Sequence, residues 1–146
     1  MIDIELVRAH EDELEQQVAR LLDLANSYSG PPAAYGLNLQ LTRLIGCWRR
    51  LLMWRDRLVY RPLASSDDDE MIALGLRCHD RMLVLGERIE GFAIRWSSSV
   101  LIATEFPRFR AEIIALTAAM QTRFDGDRAL LGLSRSATRG ATSRAA

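Results

Sequence analysis

Lysine is absent from this chain of 146 residues, and histidine and cysteine occur only twice each. All 19 basic residues are therefore arginine, and they equal the 19 acidic residues in number. A net charge of zero argues against a dedicated nucleic-acid binder, which normally carries a basic excess. Two isolated cysteines predict buried thiols in a reducing compartment rather than a disulfide framework. With only two histidines, a histidine-rich metal site cannot be assembled.

Signals for membranes, secretion and familiar catalytic sites are also missing. No apolar run reaches eighteen residues, and the first seventeen residues are acidic where a signal peptide would be basic and then apolar. We therefore expect a cytoplasmic protein with no membrane partner. The chain has no glycine-rich phosphate loop, no nucleophile elbow around a serine, and no CxxC or HExxH motif. These absences predict that the protein is not an enzyme.

Four segments with apolar residues at three- and four-residue steps predict four helices, over about 3–28, 37–60, 67–96 and 106–131. The stretch Gly30-Pro31-Pro32 separates the first two helices, and Arg61-Pro62 is expected to end the second. Alternating strand patterns are missing. Short connections between such helices predict an all-α fold, an antiparallel four-helix bundle over residues 1–133. Residues 134–146 are small, polar and basic, which predicts a disordered tail.

Charge is unevenly distributed between the first two predicted helices. Residues 1–30 carry seven acidic residues and two arginines, whereas residues 40–63 carry six arginines and one aspartate. One interpretation is that the two helices are neighbours whose exposed faces attract each other. The alternative is a basic docking face on the second helix for an acidic partner.

Charged and polar residues interrupt the apolar stripes at four positions. Arg55, Arg123 and Asp127 fall on stripes that otherwise predict the core, and His10 lies on the stripe of the first helix. A buried charge is costly unless it is paired. Asp127 follows Arg123 by one helical turn, within side-chain reach on the same face. We therefore predict that Asp127 pairs with Arg123, Arg55 or both; the alternative is that both arginines extend into solvent at the bundle ends.

The sequence resembles the hemerythrin-like, or HHE cation-binding, domain family. The resemblance is carried by AHEDELEQQVARLL (9–22), LLMWRDRLVYRPLASSD (51–67), the stretch 71–96 and RFDGDRALLGL (123–133). It implies a four-helix bundle around a non-haem di-iron centre, in which His10 and Asp127 match metal ligands. Leu51 and Arg55 stand where the family's second helix offers His and Glu, and Arg123 stands where its fourth helix offers His.

These departures from the family pattern predict a bundle that has lost its metal site and binds no cofactor. In place of the di-iron centre we expect a polar cluster of His10, Arg55, Arg123 and Asp127. The function expected is a non-catalytic regulatory or protein-interaction module, with a protein partner or as a homodimer. The alternative is a residual non-haem iron sensor of oxygen, nitric oxide or redox state, with His10, His79 and Asp127 as ligands. An enzyme with an unrecognised polar pocket is a third possibility.

Overall fold

The computed structural model describes the backbone of residues 4–145 and the side chains of residues 5–130 and 132, and all regular structure in that range is helical. The all-α prediction is therefore confirmed. The elements are α1 (Ile4–Asn26), a 3₁₀ turn (Pro31–Ala33), α2 (Ala34–Arg55), a π-helical turn (Asp56–Tyr60), α3 (Arg61–Ala64), α4 (Asp69–Arg95), α5 (Ser99–Thr104) and α6 (Phe106–Ala145). Within the described range, no helix has the length and apolarity that crossing a membrane requires.

The sequence predicted that the second helix ends before Pro62, and the structure shows that it does not. Instead, α2, the π-helical turn and α3 follow one another without a break as far as Ala64. The amide of Arg61 donates to the carbonyl of Asp56, five residues earlier, so the helix widens just before the proline. Pro62 thereby lies in the first turn of α3, where a missing amide hydrogen is tolerated. The π-helical turn contains one residue more than an α-helical turn. The side chain that faces the core is therefore Val59, where the sequence pattern had predicted Leu58.

Serine-rich segments mark both ends of α4, and the first of them also contains three aspartates. The side chain of Asp68 accepts a hydrogen bond from the amide of Glu70 at 2.9 Å and caps the start of this helix. After Trp96 the chain leaves the helix, and the Ser98 side chain caps the short α5. The predicted break in WSSSV is therefore present, whereas α5 itself was not predicted.

The long helices contact one another in the pairs α1–α2, α2–α4, α4–α6 and α1–α6. The contacting residues run in opposite order along the two members of a pair, so neighbouring helices are antiparallel. Gln17–Gln40 and Glu13–Arg50 join α1 to α2, Asn38–Trp96 and Arg49–Glu90 join α2 to α4, and Asn26–Arg110 and Glu11–Arg128 join α1 to α6. The acidic first helix thus lies beside the basic second helix, as the first of the two charge interpretations requires.

The core lies between these helices and follows the heptad positions of the sequence. Its largest fully buried apolar side chains are Trp48, Trp96, Phe109, Phe124, Leu14, Leu21, Leu37, Leu44, Leu51, Met82 and Ile89. One tight approach is made possible by a glycine in α4. A Cβ at Gly75 would lie 2.8 Å from Cβ of Leu63, so α3 can pack on α4 only because residue 75 has no side chain.

At the C-terminal end, the described backbone continues α6 as helix through 134–145. This stretch contains no proline, and its three alanines and three arginines favour helix, whereas its three serines, two threonines and one glycine do not. The domain boundary at residue 133 and the disordered tail over 134–146 stay predictions, and Ala146 lies outside the described residues.

Candidate functional site

One buried guanidinium joins three helices at the interior of the protein. Arg55, the last residue of α2, is only 1% exposed. Its Nη1 donates to Oδ2 of Asp127 on α6 at 2.9 Å, and its Nη2 donates to Oε1 of Glu11 on α1. Both carboxylates are themselves buried, and the guanidinium carbon lies 5.4 Å from the ring centroid of Phe124. The cation is therefore desolvated, paired on both sides and stacked on an aromatic ring.

Further charged side chains extend this contact toward the surface in alternating sign. Arg128 donates from Nε to Oε2 of Glu11 and from Nη2 to Oε1 of Glu15, each at 2.9 Å. At the other end, Nη1 of Arg123 lies 3.8 Å from Oδ1 of Asp127. We refer to Glu11, Glu15, Arg55, Arg123, Asp127 and Arg128 as the Arg55 cluster. Its three acidic and three basic members balance, which limits the cost of burying its centre.

The π-helical turn adds Tyr60 to the cluster. Nη1 of Arg55 lies 3.5 Å from the Tyr60 hydroxyl, and both side chains are buried. In an ideal α-helix, residues five apart point about 140° away from each other, whereas five residues make little more than one turn of a π-helix. The wider turn thus places both side chains on the same side of the helix.

Burial and neighbouring charges shift the pKa values of the cluster's ionisable groups in opposite directions. Burial lowers the pKa of Arg55, but Tyr60, Glu11 and Asp127 together raise this pKa above its ordinary value. For Asp127, burial raises the pKa, and the charges of Arg55 and Arg123 oppose that shift. Burial likewise raises the pKa of Tyr60. Arg55 therefore stays cationic, and Tyr60 stays neutral, at any ordinary pH.

The structure brings together three of the four residues of the predicted polar cluster. Arg55, Asp127 and Arg123 lie together, and the arrangement with both arginines in solvent is not the one observed. His10 is elsewhere: its ring stacks on Trp54, with 5.3 Å between centroids and 17° between planes. The stacking partner lies on α2, one residue before Arg55, on a half-buried face of the helix.

The three residues considered as metal ligands have separate surroundings. His79 packs edge-on against the Tyr60 ring at 5.1 Å, His10 lies on Trp54, and Asp127 is held by arginines. Among residues whose side chains the structure describes, no three His, Cys, Asp or Glu side chains form a group that could hold a metal ion. The donor set therefore does not fit the di-iron centre that the family resemblance implies.

Four members of the site were missed at the sequence level: Glu11, Glu15, Tyr60 and Arg128. The buried residues of α1 include Val7, Leu14, Leu21 and Ala25, and a step from Val7 to Leu14 can pass through residue 10 or residue 11. The four-residue step from Leu21 to Ala25, repeated from Val7, favours Glu11 over His10. No local signal marked Tyr60, because the π-helical turn changes the register, and Arg128 is recognised only from its partners on α1.

The cluster is suited to holding helices together rather than to transforming a substrate. Both oxygens of Glu11 and Oδ2 of Asp127 accept hydrogen bonds from arginines, whereas Oδ1 of Asp127 accepts none and lies 3.8 Å from Nη1 of Arg123. Both residues are closed off from solvent. Comparisons of the chain with family models, with curated proteins and with solved structures each return no match. Its function has to be inferred from its own residues.

Proposed function

We propose that the chain is a hemerythrin-like four-helix bundle that acts in the cytoplasm as a non-catalytic regulatory or protein-interaction module. In this proposal the Arg55 cluster takes the place of the family's di-iron centre. The observation that carries it is the position of Arg55, a permanent cation seated between the buried carboxylates of Glu11 and Asp127. The ring of antiparallel contacts among α1, α2, α4 and α6 supports the bundle architecture.

Electrostatics favours the arginine over a metal ion at this position. Two unit charges 4 Å apart repel by about 4 kcal/mol at an effective dielectric constant of 20. A divalent ion beside Arg55 would therefore face roughly twice that repulsion. Arg123 and Arg128 add further positive charge on both sides of the same carboxylates. The carboxylates already have their counter-charge, so metal binding would require the arginines to leave.

The same geometry supports a role without catalysis. General acid–base catalysis works best with a pKa near the working pH and with a group that reaches the substrate. The pKa values of Arg55 and Tyr60 are both raised further away from neutrality. Asp127 is 0% exposed and cannot contact a substrate without opening of the bundle.

Metal analysis of the full chain, purified without chelator, tests the proposal. We expect iron, zinc and manganese far below one atom per chain, and a melting temperature that does not change with a strong chelator. The matched variant is Asp127→Asn, which removes a potential ligand charge and should leave the trace metal content unchanged. Stoichiometric iron with the absorption bands of an oxo-bridged site, lost in Asp127→Asn, would instead support the residual iron sensor of oxygen, nitric oxide or redox state.

A further inference from the structure

Exposed apolar side chains are concentrated on the outer surface that α2 and α4 share. Leu76, Leu83 and Ile94 lie on one side of α4, at steps of seven and eleven residues, and Ile94 is 75% exposed. On α2, Tyr35 and Met53 are 69% and 41% exposed. Single exposed apolar residues are ordinary in a folded protein, whereas several on one surface indicate a site of contact with another molecule.

One ion pair shows that the two sets of apolar residues border the same surface. Nε and Nη2 of Arg49 donate to the two carboxylate oxygens of Glu90, each at 2.8 Å, and these side chains remain 63% and 38% exposed. Glu90 shares a side of α4 with Leu83, seven residues earlier, and with Ile94, four residues later. Arg49 likewise shares a side of α2 with Met53, four residues later. We refer to this surface as the α2–α4 face, which consists of Tyr35, Arg49, Met53, Leu76, Leu83, Glu87, Glu90 and Ile94.

The charges of the α2–α4 face are divided between its two helices. Arg49 is the basic residue on the α2 side, and Glu87 and Glu90 are the acids on the α4 side. The bonds to Glu90 use Nε and Nη2 of Arg49, so Nη1 is left to donate elsewhere. Glu87, one turn before Glu90 at the outer edge of α4, is exposed and forms no ion pair with any described side chain. Because one surface carries both an available donor and an available acceptor, it is complementary to itself.

Two-fold symmetry determines how two copies of this face can meet. With the axis parallel to the helices, α2 of one copy lies over α4 of the other, and each residue keeps its level along the bundle. Arg49 is level with its own Glu90, so it is also level with the partner's Glu90 and one turn from the partner's Glu87. Leu52 lies against Gly86, so Met53 comes within about one turn of the partner's Leu83. An axis perpendicular to the helices would instead place the acids of one α4 over those of the other, where like charges repel.

We propose that the α2–α4 face binds a second copy of the chain in a two-fold symmetric dimer. The inference rests on the proposed role as an interaction module and names the partner of that module. In the dimer, Nη1 of Arg49 donates to Glu87 of the partner subunit, and the apolar side chains pack on both sides of these pairs.

The size of the face sets the expected strength of the dimer. From Leu76 to Ile94 the face is about 27 Å long, and two helices side by side make it about 20 Å wide, or about 500 Å² per copy. The total of about 1,000 Å² lies at the lower limit for a specific interface. We therefore expect a reversible dimer with a dissociation constant in the micromolar range.

Sedimentation velocity and light scattering of the full-length chain, over a range of concentrations, measure the oligomeric state directly. We expect a mass of about twice the 16.5 kDa of one chain at roughly 200 µM, and the mass of one chain well below roughly 1 µM. The concentration dependence between these limits gives the dissociation constant of the dimer, against which the variants are compared.

Single variants with matched controls locate the interface. Glu87→Arg brings two basic side chains together across the dimer and should raise the dissociation constant at least about tenfold. Its control, Asp23→Arg, makes the same charge change at an exposed position of α1 and should change the constant by less than about threefold. Leu83→Asp should weaken the dimer as much as Glu87→Arg, whereas Ile114→Asp, at an exposed apolar residue of α6, should not. Circular dichroism melts establish that every variant is folded.

A mixture of two weakened variants tests the two-fold arrangement itself. Arg49→Glu, like Glu87→Arg, brings like charges together when it pairs with itself. In the mixture, the first chain keeps its Glu87 and the second keeps its Arg49, so opposite charges meet at both contacts. We expect the mixed dimer to be at least about tenfold tighter than the dimer of either variant alone. Mixing Arg20→Glu with Asp23→Arg, the controls on α1, should bring no such gain.

Three outcomes would overturn the dimer proposal. A chain that stays monomeric at roughly 200 µM would leave the α2–α4 face to a different protein. Equal weakening by Glu87→Arg and Asp23→Arg would place the interface elsewhere, and a mixture no tighter than its components would exclude the two-fold contact of Arg49 with Glu87. Oligomeric state is measured independently of metal content, so failure here is distinct from failure of the metal-free proposal.

Discussion

Replacing Arg55 by methionine removes the central cation of the Arg55 cluster and leaves most of its volume filled. Two buried carboxylates then lose their shared partner, with Arg128 still on Glu11 and only Arg123, at 3.8 Å, near Asp127. Removing one partner of a buried ion pair typically lowers the free energy of unfolding by about 3–5 kcal/mol. We expect Arg55→Met to lose that much, which is a large part of the about 5–15 kcal/mol by which a typical domain is stable.

The matched control is Arg50→Met, one turn and a half earlier on the same helix. Arg50 also pairs with a carboxylate of α1, Glu13, but the two side chains are 55% and 44% exposed. Exposed pairs contribute about 1 kcal/mol or less, so this variant should unfold close to wild type. Urea denaturation followed by circular dichroism measures both free energies, and a melt should show Arg55→Met lower by about 10 °C. Equal losses in the two variants would refute the argument that burial makes the Arg55 pair strong.

The dependence of the loss on pH identifies its cause. Arg55 opposes the burial that raises the pKa of Asp127, so without Arg55 this pKa rises further. A carboxyl whose folded-state pKa lies above its unfolded value gains relative stability as pH falls toward that pKa. The deficit of Arg55→Met should therefore shrink from pH 7 toward pH ~5. Adding Glu11→Gln and Asp127→Asn should recover most of the loss at pH 7; without recovery, the loss is one of packing.

Three further perturbations test the helical framework. Gly75→Ala should lower the free energy of unfolding by about 1–3 kcal/mol, because the new methyl group would collide with Leu63 of α3. Gly36→Ala should raise it by about 0.5–1 kcal/mol, because a Cβ there would have no atom within 4 Å and alanine favours helix. Urea denaturation measures both changes. Deleting Arg57 should convert the π-helical turn to an α-helical one and place Pro62 in a helix interior, at a cost of about 3 kcal/mol in the free energy of unfolding. Adding Pro62→Ala to the deletion should restore this stability. An unchanged melting temperature of the deletion variant would contradict this role of the turn. Truncation after residue 133 should leave the melting temperature unchanged, and insolubility of the truncated chain would show that the C-terminal segment packs on the other helices.

Local periodicity was enough to predict the helical class and the central charges of the site. Helix α2 buries Leu37, Leu41, Leu44, Trp48 and Leu51 in alternating steps of four and three. The next step reaches Arg55, so the sequence alone placed an arginine in the core. The same reasoning placed Asp127 in the stripe of α6. A charge at such a position has to be paired because desolvation is costly, and pairing was therefore predictable before the partners were known.

The tertiary structure decided which side chains meet. His10 and Glu11 differ by one residue, or about 100° of helix rotation, and the rotation of α1 is set by its packing on α2 and α6. That packing turns Glu11 toward Arg55 and leaves His10 on Trp54. The π-helical turn, which adds Tyr60, likewise depends on how the chain accommodates Pro62 against its neighbours. Periodicity along one helix determines which residues are buried; only the packing between helices determines their partners.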